Sequence, residues 1–402
     1  MWRSPSRFAV GKLSTIGSRT ASGACDATLT RCGENPAFRS IAPPGRCRLS
    51  CAWTSLPHDA GVLQMIDDAV NQLERLDEEL ETLLTSFDTS YAWNYGSVKD
   101  GLRDLYEKAK REQWNGTTQL AWDTDVDPER GILPDLIQPL AGYPPYERLT
   151  VREKARLRHA QVALQLSQFL HGEQGALIVA SQLVGAVPWI DAKYYAGTQT
   201  MDEARHVEVF SRYLREKLEW QWPVNESLKE LLDATIKDGR WDLKYLGMQI
   251  IIEGLAMAAF GNLLQITQEP LLKELIRYVM KDESRHVAFG VLSLSDHYRD
   301  MASGELADRE EFVIYACELM RDRLVGDQIS SVMGWNREEV RQVVLASAPA
   351  QTFRRLLFAR VVPNLGRLGL LTPRVREAFT RLGILEFEHA DPEAQDRALG
   401  LA

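Results

Sequence analysis

A five-residue pattern that occurs twice constrains this chain more than any other feature. Asp202-Glu203-Ala204-Arg205-His206 returns 80 residues later as Asp282-Glu283-Ser284-Arg285-His286. Thirty residues before each paired glutamate, one acid interrupts an apolar run: Glu173 in HGEQGALIVA and Glu253 in QIIIEGLAMAAF. On a helix, residues three apart lie about 60° apart and one turn along, so the Glu and His of each motif aim at one point. The order E…ExxH followed by E…ExxH predicts two helical hairpins related by approximate symmetry. A glutamate inside IIIEGLAMAAF is costly to keep ionised without a partner, and a cation is the natural compensation. A lone ExxH is common as an exposed pair on a helix; two copies, each trailing a buried acid by the same interval, select the metal reading.

The rest of the chain supports a helical scaffold for this constellation. Apolar residues recur at helical spacing over Val151–Gly185, Ile190–Trp220, Trp241–Gln265 and Pro270–Arg299. Stretches of ~25–35 residues are bundle lengths, ~38–52 Å at the α-helical rise. Met65–Leu84 predicts an amphipathic helix with an acidic outer face, and Gly101–Glu112 another. Pro134, Pro139, Pro144 and Pro145 break the segment that follows. Beyond Met301, helices are expected over Arg309–Val325, Glu338–Ala346 and Gln351–Ala359. Strand-like alternation is nearly missing, so the expected class is all-α: a four-helix core at 151–300, N-terminal helices and a wrapping segment at 65–150, and a helical extension at 301–402.

Composition narrows the partners. The 402 residues carry a net charge of −9, with no basic stripe, which disfavours nucleic acid. No uninterrupted apolar run reaches the ~18 residues of a membrane span. Residues 1–64 hold eight Lys/Arg against three acids, and four of the five cysteines. Such an Arg- and Ser-rich leader reads either as an organelle transit peptide or as an extension upstream of a true start at Met65. Cys25, Cys32, Cys47 and Cys51 lack the paired spacing of a zinc site, and Cys317 stands alone, so a reducing, cytoplasmic setting is expected.

On its two D-E-x-R-H motifs and their partner glutamates, Val151–Arg299 resembles the ferritin-like di-iron carboxylate oxygenases and oxidases. That superfamily includes ribonucleotide reductase small subunits, bacterial multicomponent monooxygenases and acyl-carrier-protein desaturases. The resemblance implies a ferritin-like four-helix bundle in which Glu173, Glu203, His206, Glu253, Glu283 and His286 bind two iron ions, or a manganese–iron pair, that activate O2. Asp202 and Asp282 are expected behind the histidines, accepting the distal ring N–H, with Arg205 and Arg285 pairing to nearby carboxylates. Three departures stand out. Phe210 occupies the place of the radical tyrosine of many ribonucleotide reductase small subunits. Met257 replaces the threonine of the multicomponent hydroxylases. Val279 stands where di-iron N-oxygenases of aryl amines usually carry an additional histidine one turn before the final glutamate.

Residues at ±3, ±4 and +7 from a ligand share its face. They are Phe169, Leu170, Ala176, Leu177, Ala180, Thr200, Phe210, Ala256, Met257, Phe260, Met280 and Gly290, and this apolar face predicts a substrate pocket touching Phe210, Met257, Gly290, Ala176 and Ala180. Gly290, the repeat counterpart of Phe210, is expected to leave room there. His171 and His159 lie at the wrong angle or distance to join the ligands. The leading expectation is an O2-dependent di-iron oxidoreductase that hydroxylates, desaturates or N-oxygenates an apolar or amphipathic organic substrate. No nucleotide-binding fingerprint follows a predicted strand, so an external donor such as a ferredoxin or flavin reductase is implied. The alternatives are a ribonucleotide-reductase-like radical or Mn/Fe protein and a non-catalytic iron binder; a homodimer is one option for assembly.

Overall fold

The computed structural model describes residues 80–127, 132–134, 137–322 and 327–401. Among them no strand occurs, and the class is all-α. The leader and its cysteines lie outside the described residues, as do residues 65–79 of the helix expected at Met65–Leu84. Residues 80–84 of that segment are not helical. Its apolar positions Leu80 and Leu84 are both 93% exposed, and only Leu83 of this stretch packs against the core.

Seven helices position the site: α1 (Asp100–Arg111), α2 (Val151–Ala186), α3 (Ile190–Tyr213), α4 (Glu226–Lys237), α5 (Trp241–Ile266), α6 (Pro270–Arg299) and α7 (Ser303–Asp322). Thr150 starts α2 with a capping box, its hydroxyl accepting from the Glu153 N–H at 3.2 Å while Glu153 Oε2 accepts from the Thr150 N–H at 2.7 Å. Glu269 caps α6, accepting from the N–H groups of Leu271 and Leu272, with Pro270 at the first helical position. Three-residue links join α2 to α3 and α5 to α6, which makes each pair an antiparallel hairpin. Helix α1 lies across α3 and α6. It is anchored by Asp191, whose carboxylate accepts from the N–H groups of Val98 and Lys99 and from Arg103.

Two of the long helices depart from regular α geometry. The α3 rod ends at Tyr213 rather than continuing to Trp220: a wide π-turn, Leu214–Leu218, follows and terminates at Glu219 in the left-handed region, φ 51°. Helix α5 carries a π-helical segment, Leu246–Ile252, directly before Glu253. Such bulges occur often at functional sites, because they re-aim side chains without breaking the rod. Trp241–Ile266 is long and apolar enough to cross a membrane, but 83% of its apolar window is buried inside the protein. It is the central core helix, with Ile250, Ile251 and Phe260 fully enclosed.

Candidate metal centre

The four long helices deliver their six ligand candidates to one place. Glu173 comes from α2, Glu203 and His206 from α3, Glu253 from α5, and Glu283 and His286 from α6; each is 5% exposed or less. Two groups form, Glu173–Glu203–His206–Glu283 and Glu203–Glu253–His286, with Glu203 common to both. His206 Nδ1 lies 3.1 Å from Glu173 Oε2, 3.3 Å from Glu203 Oε2 and 3.1 Å from Glu283 Oε1. His286 Nδ1 lies 3.1 Å from Glu203 Oε1 and 3.5 Å from Glu283 Oε2. Glu203 and Glu283 thus sit between the two imidazoles, the place of bridging carboxylates.

The aspartates stand behind the histidines, crossed between the motifs. His206 Nε2 is 3.1 Å from Asp282 Oδ2, and His286 Nε2 is 3.3 Å from Asp202 Oδ2. Arg205 bonds Asp202 at 2.5 Å and Asp282 at 2.9 Å, and Arg285 bonds Asp282. The segment closing α1 completes this shell. Gln113 donates to Asp202 Oδ1 at 2.9 Å and accepts from Arg205 at 2.9 Å. Trp114 Nε1 donates to Asp282 Oδ2 at 2.7 Å while its ring lies under the Arg205 guanidinium. Glu112 takes Arg285 at 2.7 Å. These three neighbours carry no recognisable spacing, and sequence reasoning missed them.

Gln199 was missed as well, although a visible signal existed: it lies four residues before Glu203, on the same face. Its amide donates to Glu203 Oε1 at 3.0 Å and Glu253 Oε1 at 2.8 Å. Aromatic rings stand one turn from several of the ligands: Tyr195 lies 6.5 Å from the His286 ring, and Phe169 and Phe210 are one turn from Glu173 and His206. Phe169 packs on Phe260 and Phe210, at ring-centroid distances of 4.5 and 6.1 Å.

The donor set fits two cations. The Asp and Arg pairs cancel in charge, which leaves four glutamates for two divalent ions to neutralise. Glu203 Oε2, Glu253 Oε2, Glu283 Oε2 and His286 Nδ1 are all buried without a hydrogen-bond partner, a costly arrangement unless something else binds them. Without metal, protons must compensate. Burial, reinforced by the Glu283 charge, pushes the carboxyls of Glu173 and Glu253 well above the usual range. Burial pushes both imidazoles down, but the carboxylates, Glu173 beside His206 and Glu203 beside His286, win and hold them well above the ordinary value. Against the same burial cost, the imidazoles hold Glu203 below its usual range.

The expected room at Gly290 does not exist. A Cβ there would stand 2.7 Å from the Gln249 Cβ and 3.1 Å from Ile250 Cδ1, so the glycine permits close approach of α6 to the π-turn of α5. Phe210, Met257, Ala176 and Ala180 are all buried. His171 and His159 serve the fold instead, their Nε2 atoms lying 2.7 Å from the Trp222 carbonyl and 3.1 Å from that of Leu218. A cleft of about 330 Å³ opens on the outer side of α3, between Tyr106, Tyr194, Thr198 and Met201, with Gln113 in its wall.

Residues 97–369, about two thirds of the chain, match the family described as P-aminobenzoate N-oxygenase AurF. The chain belongs to this family. It is a ferritin-like, non-haem di-iron oxidoreductase that uses O2 to oxidise an organic substrate. Val279, one turn before Glu283 on α6, is fully buried. Among solved structures the chain is similar to an R2-like ligand-binding oxidase with aerobically reconstituted metal cofactor after photoconversion. The identity is 18% and the TM-score 0.43, over 67% of this chain and 93% of that one. An R2-like ligand-binding oxidase with an aerobically reconstituted Mn/Fe cofactor, after a long soak, is 19% identical, with a TM-score of 0.39 over 63% of this chain and 92% of that one. No curated protein matches.

Proposed function

We propose that Glu173, Glu203, His206, Glu253, Glu283 and His286 ligate the two iron ions, with Glu203 and Glu283 shared, and that the reaction is oxygenation of an amine nitrogen on an aromatic or amphipathic substrate. One observation carries the metal assignment: four buried ligand atoms on three glutamates and a histidine make no hydrogen bond. Membership of a family named for p-aminobenzoate N-oxygenation supports the nitrogen chemistry. When bound and reduced, the iron pair supplies the one-electron chemistry that O2 needs to react with a closed-shell organic molecule. The protein does the rest. Asp202 and Asp282 fix the ring orientation of His286 and His206. Phe169, Phe210 and Phe260 exclude water from the Glu173–His206 side, and we place the substrate there, reached by Phe210, Met257, Ala176 and Ala180 through their register with the ligands. Reduction of O2 to water and product needs electrons beyond those of the substrate. A separate ferredoxin or flavin reductase is the donor we assign, in the reducing, cytoplasmic setting that suits the buried Cys317 thiol; the assembly we favour is a homodimer.

The test is single-turnover oxidation by iron-loaded, chemically reduced protein under ¹⁸O2, with p-aminobenzoate and a set of aryl amines. Mass spectrometry should show ¹⁸O on nitrogen in the hydroxylamine or nitro product. Label on carbon, or reduction of O2 with every amine untouched, would overturn the nitrogen assignment.

A further inference from the structure

The repeat that builds the centre is not symmetric in what surrounds it. Shifted by 80 residues, Glu173, Glu203 and His206 map onto Glu253, Glu283 and His286, but Gln199 maps onto Val279 and Phe169 onto Gln249. Both mismatches put an amide on one side and an apolar group on the other. Phe169, one turn before Glu173, and Phe210, one turn after His206, pack on each other and on Phe260. Beside Glu253 the Gln199 amide bonds two carboxylates at once, Glu253 Oε1 at 2.8 Å and Glu203 Oε1 at 3.0 Å. The amide presents its nitrogen to both carboxyl groups, the orientation that ionised carboxylates, which only accept, require. Its oxygen then faces Gln249, whose Nε2 approaches to 3.3 Å.

Gln249 is held in turn by the backbone. It lies in the π-helical segment that precedes Glu253, and α6 meets that segment at Gly290, where any side chain would collide with the Gln249 Cβ. Bulge, glycine, Gln249 and Gln199 therefore form one line of contacts ending on Glu253. All of these side chains are buried, and the Glu253 oxygen that Gln199 leaves free, Oε2, is the one without a partner.

We propose that Gln199 is a positioning residue that makes the two metal positions unequal. By holding Oε1 of Glu253, it leaves only Oε2 for the cation and fixes that carboxylate in a one-oxygen mode. Glu203 is shared, but its Oε1, which Gln199 also holds, is the oxygen 3.1 Å from His286 Nδ1, while its Oε2 faces His206 Nδ1 at 3.3 Å, so both amide bonds fall on the Glu203–Glu253–His286 position. That position is thereby shaped by the amide, whereas the Glu173–Glu203–His206–Glu283 position is not. This inference rests on the two-metal reading, and the experiment separates the two.

Metal-free protein is titrated anaerobically with Mn(II) alone, free and bound ion being read by electron paramagnetic resonance, for the wild type, Gln199→Leu and Gln249→Leu. The wild type should take two ions per chain. Gln199→Leu should weaken one of the two by about 10–100-fold, the usual cost of removing an outer-shell partner, and leave the other unchanged; Gln249→Leu should shift the same ion in the same direction by less. The unchanged ion reports that the bundle is intact. Wild-type affinities in Gln199→Leu, or equal loss of both ions, would overturn the role of Gln199 alone. A wild type that takes no pair of ions would overturn the metal reading and this inference with it.

Discussion

Asp202 and His286 stand on different hairpins, yet Asp202 Oδ2 lies 3.3 Å from His286 Nε2, and the reciprocal pair, Asp282 and His206, is separated by 3.1 Å. Each motif orients the histidine of the other, so the duplicated pentapeptide works only as a pair. Asp202→Asn keeps the shape and removes the charge that supports His286. Affinity for the ion next to His286 should fall by about 10–100-fold with the ion next to His206 little changed, as measured by competition with a chromogenic chelator. Equal loss at both positions would mean that Asp202 only holds the helices together.

Removing metal leaves four buried glutamates and two imidazoles to share protons at a cost in stability. A ligand present at a thousand times its Kd stabilises a fold by about 4 kcal/mol per site. Scanning calorimetry with and without a strong chelator should show a lower Tm in the chelated protein. Coincident transitions would contradict the account.

Gly290→Ala tests the close approach of α6 to α5. Glycine to alanine inside a helix ordinarily stabilises by up to about 1 kcal/mol, but here the new methyl would meet Gln249 at 2.7 Å. Overpacking of this kind costs about 1–3 kcal/mol, so urea unfolding should show a loss. A gain in stability would mean that space exists there after all.

Much of the centre was legible in the sequence because the repeat is strict in register. An interval of 80 between motifs and of 30 within each half leaves few ways to place six side chains other than face to face. The limits of Pro270–Arg299 were equally plain, from Pro270 at its start. What escaped detection depends on contacts with no local period. The π-segment of α5 looks like ordinary helix, since its seven residues LGMQIII are apolar or neutral throughout. Glu112, Gln113 and Trp114 reach the aspartates only because α1 lies across α3 and α6, a tertiary fact. Gly290 was misread because an absent side chain signals either a void or a close neighbour, and only packing decides between them.

Lys244 carries a pH dependence of its own. Its ammonium is fully buried, donating to Gln182 Oε1 at 2.6 Å and to the carbonyls of Thr235 and Ile236 at the end of α4. Burial pushes it down to about 8, with the Asp238 charge opposing. The unfolded chain keeps an ordinary lysine near 10.4 and so binds more protons between about pH 8 and 10. This residue's contribution therefore rises with pH across that window, by up to about 3 kcal/mol, and its penalty is fully present below pH 8. Burial pushes the Cys317 thiol up, which acts with opposite sign above its ordinary value. The readout is therefore the difference in unfolding free energy between wild type and Lys244→Met: it should move in favour of the wild type from pH 8 to pH 10, and a pH-independent difference would refute the assignment.

Anomalous diffraction at the iron edge from crystals of the iron-loaded protein tests the central claim most directly. Two peaks are predicted per chain, one against Nδ1 of His206 and one against Nδ1 of His286, with Glu203 and Glu283 between them. A single peak, or peaks only at the protein surface, would contradict a centre built by these six side chains.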